Sequence, residues 1–268
     1  MDIRTINRNR WDKQVELGNP WTIPVSHELI EAARQGKWSV ILTEQKSVPR
    51  AWFPEDIHGV EILCLACGGG QQGPIFAAAG AKVTVFDNSP RQLEQDRMVA
   101  RREGLKLEIV EGDMRDLRVF SDKSFDLVFN PVSTAFCTDV IPVWREAYRV
   151  LRPGGVLMAG FDNPDVYIFD YPLSEQGIFE VKYALPFDAR KLSEEDRNRE
   201  FGDDSPLEFS HSLEEQVGGQ LEAGFILTGF YEDQQNTPLG KYIAGYFATR
   251  AVKLLNESAS AFQSFMMH

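Results

Sequence analysis

A glycine-rich turn between an apolar run and a helix constrains the fold of this chain more than any other feature. Residues 60–65 are mostly apolar, residues 67–73 read Cys-Gly-Gly-Gly-Gln-Gln-Gly, and residues 72–79 are predicted to form a helix. Glycine lets a backbone adopt positive φ and approach a ligand closely. The helix that follows presents free N–H groups and the positive end of its dipole. The sequence therefore predicts a strand, a ligand-binding turn and a helix.

Strands and helices alternate after that turn. We predict strands over residues 60–65, 82–86, 105–110, 125–129 and 155–161. Ser89 can cap the helix after the second strand, and Pro90 suits the first turn of that helix. Such alternation implies an α/β fold with a doubly wound, mostly parallel sheet and helices on both faces.

The last two predicted strands, 225–231 and 242–251, lie close together along the chain. The segment between them is too short for a helical crossover, so we expect a hairpin and an antiparallel final strand. Before them, residues 212–215 (Ser-Leu-Glu-Glu) match a capping box and predict a helix that ends near Gly224.

Two segments depart from the alternation. Residues 1–59 are rich in Trp and Pro and contain one predicted helix, at 27–35, so we interpret them as an N-terminal extension or lid. Residues 162–210 combine aromatic residues with an acidic tract, and we expect an insertion with short strands that covers the substrate. The predicted ligand-binding domain runs from residue 60 to residue 268 and includes this insertion.

Composition limits the partners and the compartment. The net charge of -12 argues against a nucleic-acid partner, although it leaves room for a local basic patch. No apolar stretch is long enough to span a bilayer, and no apolar segment of a secretory signal follows the N-terminus. The few cysteines fit a reducing compartment. We therefore expect a cytoplasmic protein that acts on a small molecule, with an oligomeric state that the sequence does not reveal.

Two features point to an adenosine-type ligand. Gly68, Gly70 and Gly73 satisfy the pattern G-x-G-x-x-G, and Asp87 ends the next predicted strand. An acidic residue at that place binds a ribose diol in dinucleotide folds. These two features alone do not distinguish a nicotinamide dinucleotide from S-adenosylmethionine.

Five segments, in order, resemble class I S-adenosylmethionine-dependent methyltransferases, especially the type 11 group of small-molecule enzymes. They are residues 62–70, 85–89, 111–114, 124–129 and 148–155. Two motifs, Gly-Gly-Gly-Gln-Gln-Gly at 68–73 and Asn-Pro-Val-Ser at 130–133, resemble those of a bacterial subfamily. The resemblance implies a Rossmann-like sheet of seven strands in the order 3-2-1-4-5-7-6. It also implies S-adenosylmethionine as cofactor and S-adenosylhomocysteine as its product.

The resemblance further implies roles for individual residues. The backbone of residues 66–70 would wrap the methionine end of the cofactor, and Asp87 would accept hydrogen bonds from both ribose hydroxyls. Asp113 would accept from the adenine amino group, with Met114 packed on the ring. The residues implied at the cofactor site are Ala66, Cys67, Gly68, Gly69, Gly70, Asp87, Asn88, Leu93, Gly112, Asp113, Met114, Asn130, Pro131 and Val132.

One position departs from the family pattern. Cys64 stands where the family usually has an acidic residue, whose carboxylate often helps to hold the methionine ammonium group, so another group must do so here. Cys64 and Cys67 also have a zinc-like spacing. However, Cys64 lies inside a predicted strand and no second pair exists, so we predict no metal.

The N-terminal extension has two interpretations. Residues 19–24 are stiffened by two prolines and carry Trp21. In one interpretation this segment is a strap packed on the core. In the other, Trp21 and Trp11 cover the methionine end of the cofactor and wall the acceptor pocket, which keeps water out.

The expected reaction is methyl transfer to a small-molecule acceptor by in-line displacement. No residue pattern identifies a catalytic base, and neither the acceptor nor its reacting atom can be read from the sequence. Two alternatives stay open at this point: an NAD-type dinucleotide-dependent oxidoreductase, and a protein that binds S-adenosylmethionine without catalysis.

Overall fold

A computed structural model describes residues 2–255 and shows the predicted α/β sheet. Met1 of the predicted extension and residues 256–268 of the predicted domain lie outside the described residues. Seven strands pair in the order β3-β2-β1-β4-β5-β7-β6, which confirms the predicted order. The strands are β1 (Glu61–Leu65), β2 (Lys82–Asp87), β3 (Leu107–Glu111), β4 (Phe125–Asn130), β5 (Leu151–Asp162), β6 (Phe225–Asp233) and β7 (Tyr246–Lys253).

The pairing of β7, which lies between β5 and β6, confirms the predicted hairpin. β7 pairs antiparallel with both β5 and β6, whereas β1 to β5 pair in parallel. The connection between β6 and β7 contains a single 3₁₀ turn, Leu239–Lys241, and no α-helix. Because the chain reverses there, Asp162 at the end of β5 lies opposite Tyr246 at the start of β7.

Helices cover both faces of the sheet, as the alternation predicts. They are α1 (Ile3–Leu17), α2 (His27–Arg34), α3 (Gln72–Ala78), α4 (Pro90–Glu103), α5 (Ile141–Val150), α6 (Tyr171–Ser174), α7 (Glu194–Phe201) and α8 (Gly219–Glu222). Successive strand residues point to opposite faces, so Ile62 packs in the cluster that contains Phe76 of α3, whereas Leu63 packs with Trp144 of α5. None of the helices within residues 2–255 is long and apolar enough to cross a membrane.

The helix α1 is missing from the sequence prediction. The Asp2 carboxylate caps its start by accepting from the Thr5 backbone N–H, and Gly18, with a φ of 71°, ends it. Among its fifteen residues only Asn7 is fully buried. An apolar stripe is the signal by which helices are recognised, and this helix is instead attached largely through polar side chains.

The predicted insertion contains short helices and loops but no strand after Asp162, so the expectation of short strands is wrong. Its elements are the helices α6 and α7 and the 3₁₀ segments Pro164–Ile168 and Ala189–Lys191, with two isolated bridges, Phe169 to Val181 and Asp188 to Phe209. The acidic tract of the insertion starts α7. Ser193 caps this helix, and acidic residues occupy its first turn, where they interact favourably with the helix dipole.

The predicted capping box is present before α8. The Glu215 backbone N–H donates to Ser212 Oγ at 3.1 Å, and Glu215 Oε2 accepts from the Ser212 backbone N–H at 2.8 Å. The helix begins with a π turn, Glu214–Gly218, and stops before Gly224, whose φ is 107°. This pattern confirms the prediction of the start and end of the helix.

Candidate active site

A large cavity, of about 540 Å³, lies at the carboxyl ends of the parallel strands. Its floor is formed by the turn after β1 and by the ends of β2, β4 and β5. Its walls come from α1, from the segment 41–44 and from the insertion. In doubly wound folds this edge of the sheet is the usual place for a ligand.

Most of the residues that the sequence implicates line this cavity. They are Trp11, Trp21, Ala66, Cys67, Gly68, Asp87, Asn88, Gly112, Asp113, Met114, Pro131 and Val132. These positions are spread over more than one hundred residues of the chain, and the fold brings them together because each follows a strand or belongs to the N-terminal segment.

Four implicated residues lie behind the cavity wall rather than on it. Gly69 and Gly70 are covered by the N-terminal segment, and the Gly70 carbonyl accepts from the Val25 backbone N–H at 2.9 Å. Leu93 is fully buried in the core. Asn130 is fully buried too, and its Nδ2 donates to the Leu65 carbonyl and to Ser133 Oγ, both at 2.9 Å.

The carboxylate of Asp87 faces the cavity from the end of β2. Its Oδ2 accepts from the Gly68 backbone N–H and its Oδ1 from the Ser89 backbone N–H, both at 2.9 Å. Burial raises the pKa of Asp87, against the opposing effect of these two bonds. Each oxygen keeps a second acceptor position, so the pair can still accept from a vicinal diol.

Two glycines are required by close packing around Asp87. A Cβ on Gly68 would lie 2.7 Å from Gln92 Cβ and 3.1 Å from the Asp87 carboxylate. A Cβ on Gly112 would lie 2.1 Å from Phe86 Cζ, well inside van der Waals contact. No side chain fits at either position without displacing its neighbours.

Asp113 and Asn88 already have protein partners. Arg115 donates to both oxygens of Asp113, with Nη2 to Oδ2 at 2.7 Å. Burial acts to raise the pKa of Asp113, but the hydrogen bonds from Arg115 outweigh it and lower the pKa. Arg4 Nε donates to Asn88 Oδ1 at 3.0 Å, and Asn88 Nδ2 donates to the Arg4 carbonyl. Direct recognition of adenine by Asp113 would therefore share the carboxylate with Arg115.

The helix α1 forms one wall of the cavity. The Asn7 side chain donates to the carbonyls of Phe136 and Leu207 and accepts from the Leu207 backbone N–H at 2.7 Å. Trp11 packs edge-on against Phe136, with ring centroids 5.0 Å apart. Asp12 accepts from Ser89 Oγ at 2.6 Å and so ties α1 to the start of α4.

The segment after α1 both straps the core and lines the cavity. Gln71 Nε2 donates to the carbonyls of Pro20 and Ile23, at 3.1 and 3.0 Å, next to the glycine-rich turn. Trp21 lines the cavity while 44% of its surface is exposed. The segment therefore packs on the core as a strap, and a cover over the cofactor by Trp21 stays a prediction.

The chain is similar in sequence to known methyltransferases. The family described as "Methyltransferase domain" matches residues 63–159. The uncharacterized methyltransferase YbaJ of Bacillus subtilis is 51% identical over 249 residues, which cover 92% of this chain and 97% of the relative. The chain belongs to the S-adenosylmethionine-dependent methyltransferases.

Solved structures share the fold of this methyltransferase. One is an S-adenosylmethionine-dependent methyltransferase from Mesorhizobium loti, with a TM-score of 0.58, 17% identity, and coverage of 76% of this chain and 94% of that one. Another comes from Methanosarcina mazei, with a TM-score of 0.54, 23% identity, and coverage of 77% and 96%. S-adenosylmethionine is the cofactor that this family and fold imply.

The methyltransferase has a buried carboxylate behind its glycine-rich turn that the sequence reasoning missed. Asp96 of α4 is fully buried, and its Oδ2 accepts from the Gly69 backbone N–H at 3.0 Å. Burial raises the pKa of Asp96 to about 8. Cys64, at the position where the family usually has an acid, is fully buried in the core and does not line the cavity.

Asp162 is a second residue that the sequence reasoning did not select. It ends β5 and lines the cavity, as Asp87 does at the end of β2. Burial, reinforced by the nearby carboxylate of Glu208, raises the pKa of Asp162 to about 8. The sequence does contain a signal for Asp162, which is an acidic residue at the end of an apolar strand. The prediction places residue 162 in the insertion and therefore does not use this signal.

Proposed function

We propose that this methyltransferase transfers a methyl group from S-adenosylmethionine to a small molecule held in the same cavity. The observation that carries the proposal is a large cavity with two chemically different ends. One end has the glycine-rich turn and Asp87, and the other has the aromatic and acidic side chains of the insertion. Such a cavity has room for a cofactor and an acceptor together, since ligand sites span about 300–1,000 Å³.

The residues at the first end fit the cofactor. Asp87 offers two free acceptor positions at the place where the family binds ribose, and the glycines at 68 and 112 let the backbone approach closely. Met114 supplies an apolar, polarisable surface suited to an adenine ring. Ala66, Cys67 and Gly68 would contact the methionine end, and Pro131 and Val132 the region of the sulfur.

When bound, the cofactor supplies a methyl group on a sulfonium, which is already activated for transfer. The protein's work is therefore to hold the acceptor in line and to exclude water. The segment 1–59 and the insertion 162–210 are the parts we assign to this task. Asn7 supports that assignment, because it lines the cavity and joins α1 to Leu207 of the insertion.

Calorimetry with S-adenosylhomocysteine and with NADH tests the proposal. We expect saturable binding of S-adenosylhomocysteine and none of NADH. Transfer of a labelled methyl group from S-adenosylmethionine to members of a small-molecule library should follow. Binding of NADH in place of S-adenosylhomocysteine would support the oxidoreductase alternative. Cofactor binding with no turnover across the library would support a protein that binds S-adenosylmethionine without catalysis.

A further inference from the structure

The far end of the cavity contains an enclosed carboxylate oxygen with no partner. Asp162 Oδ2 is shielded from solvent and makes no hydrogen bond within residues 2–255. Asp162 lies opposite Tyr246 in the sheet, and both residues line the cavity. An unpaired buried carboxylate is costly, so a group that completes such a site is expected to be a hydrogen-bond donor or a cation.

A second carboxylate adds to the negative charge at this end. Glu208 lines the cavity and accepts from Tyr167 Oη at 2.8 Å. Burial raises the pKa of Glu208 and of Tyr246, and Asp162 and Glu44 act in the same direction on Tyr246. Burial is the largest cause of both shifts, and no positively charged side chain opposes either of them.

The cations of the cavity lining are engaged at the opposite end. Among the described residues that line the cavity, the basic side chains are Arg4, bonded to Asn88, and Arg115, bonded to Asp113. The neighbouring Glu200 is different, because Lys182 and Arg199 neutralise it. The fold thus compensates one buried acid of the insertion and leaves Asp162 and Glu208 without a cation.

We propose that the methyl acceptor is an amine, bound as its ammonium ion by Asp162 and Glu208 and against the rings of Tyr167 and Tyr246. This inference rests on the function proposed above. Ammonium groups pair with buried carboxylates and also bind to the faces of aromatic rings. A neutral alcohol provides no counter-charge for these carboxyl groups when they ionise, and their ionised forms repel an anionic acceptor.

Asp162 also supplies the base that this reaction needs. An ammonium ion has no lone pair, so one N–H bond must break and its proton must pass to the Asp162 carboxylate. The nitrogen lone pair then forms the N–CH₃ bond while the S–CH₃ bond breaks, and the bonding pair stays on sulfur as the thioether. The positive charge moves from sulfur to the methylated nitrogen. The proton on Asp162 leaves to solvent when the products dissociate.

Binding of matched probes to the complex with S-adenosylhomocysteine tests this assignment without turnover. The probes are 2-phenylethylamine, cyclohexylamine and hexylamine, each paired with the alcohol that has a hydroxyl in place of the amino group. Titrations followed by calorimetry should show the amines binding about tenfold or more tightly than their alcohols. Affinity for the amines should rise between pH 6 and pH 9, because Asp162, with a pKa of about 8, ionises while alkylamines stay charged. Glu208, Glu44, Tyr167 and Tyr246 face the same space and contribute no positive charge to offset this.

Substitutions separate the role of Asp162 from a general effect of charge. Asp162→Asn keeps the shape and removes the carboxylate, so the preference for amines should fall by about tenfold and its pH dependence should flatten. Asp203→Asn is the matched control, because Asp203 is an exposed acid of the same insertion that does not line the cavity. Glu208→Gln should produce a partial loss, and thermal melts should show that each variant is folded.

Two failures are distinguishable. If S-adenosylhomocysteine does not bind the wild-type protein, the proposed function fails. If it binds, and amines and alcohols then bind equally or Asp162→Asn retains the full preference, the assignment of an amine acceptor is overturned while the methyltransferase function stands.

Discussion

The two ends of the cavity are built in different ways. At the cofactor end, the contributing residues follow strands β1, β2 and β3 within residues 66–114, each in a strand–turn–helix or strand–turn unit. At the acceptor end, they come from the end of β5, the start of β7, the segment 41–44, the insertion and the β6–β7 connection. The first end is determined by local chain geometry, and the second by contacts between segments far apart in sequence.

The acids that line the two ends of the cavity also differ in their hydrogen-bond partners. Asp87 and Asp113 receive hydrogen bonds from backbone N–H groups or from Arg115. Asp162 has an oxygen that receives none within the described residues. Where the protein itself supplies the hydrogen-bond donors, the acidic side chains are fixed in place before a ligand binds. Where an acidic oxygen has no donor from the protein, the ligand must supply one.

The largest effect should come from Asp87. Asp87→Ala should weaken S-adenosylhomocysteine binding by tenfold or more, because two charge-assisted hydrogen bonds of about 1.5–3 kcal/mol each would be lost. Asp126→Ala is a matched control: Asp126 bonds to Arg152 and to the Glu61 backbone N–H and does not line the cavity. Calorimetry on folded variants measures the difference. Equal affinities for the two variants would remove Asp87 from the site.

Close packing at the cofactor end predicts a loss of stability on adding one methyl group. Gly112→Ala should lower the free energy of unfolding by about 1–3 kcal/mol, because its Cβ overlaps the Phe86 ring. Gly218→Ala should change it little or raise it, because Gly218 is helical and its Cβ would meet only Glu214 Cγ, at 3.7 Å. Urea denaturation checks both. A Gly112→Ala variant as stable as the wild type would show that this end is less tightly packed than its contacts indicate.

The raised pKa of Asp96 predicts how the free energy of unfolding depends on pH. Its pKa is raised from 3.8 to about 8 in the folded protein, so its contribution is fully present below pH 3.8 and is lost as the pH rises toward 8. Between pH 7 and pH 9 this single group should lower the free energy of unfolding by about 1 kcal/mol. Asp96→Asn should remove that part of the decline, since an amide oxygen can still accept from Gly69, and Asp203→Asn should not. An unchanged pH profile in Asp96→Asn would mean that Asp96 is ionised at neutral pH.

The smallest effect concerns Trp21, in the segment that follows α1. Trp21 lines the cavity and is partly exposed, so S-adenosylhomocysteine should change the intrinsic tryptophan fluorescence, and Trp21→Phe should reduce that change with little loss of affinity. Trp38→Phe is the control, because Trp38 packs against Phe53 and Phe76 away from the cavity. A full ligand-induced change in Trp21→Phe would leave residues 19–24 as a strap on the core alone.

The sequence predicted most of the sheet because each strand and its turn are recognisable locally. Three such signals are the apolar run before Gly68, the acidic residue at 87 and the proline at 90. Each depends only on residues close to it in sequence, so it can be interpreted without knowing the tertiary structure. The order of all seven strands and the final hairpin followed from the resemblance and from the short connection after β6.

The parts that were not predicted depend on packing between distant segments. Asn7 gives α1 its attachment by bonding to Leu207, two hundred residues away, and no local pattern marks it. Asp96 looks like an ordinary helical aspartate until α4 is placed beneath the glycine-rich turn. Asp162 could have been selected by analogy with Asp87, but its significance depends on Glu208 and Tyr246, which only the folded insertion and β7 bring near it.

A crystal structure with S-adenosylhomocysteine tests the central claim most directly. We predict the ribose hydroxyls on the carboxylate of Asp87, the adenine beside Met114, and the sulfur directed toward the part of the cavity lined by Asp162 and Tyr246. S-adenosylhomocysteine bound elsewhere, or in this cavity with its sulfur turned away from Asp162, would contradict the account of one cavity with a cofactor end and an acceptor end.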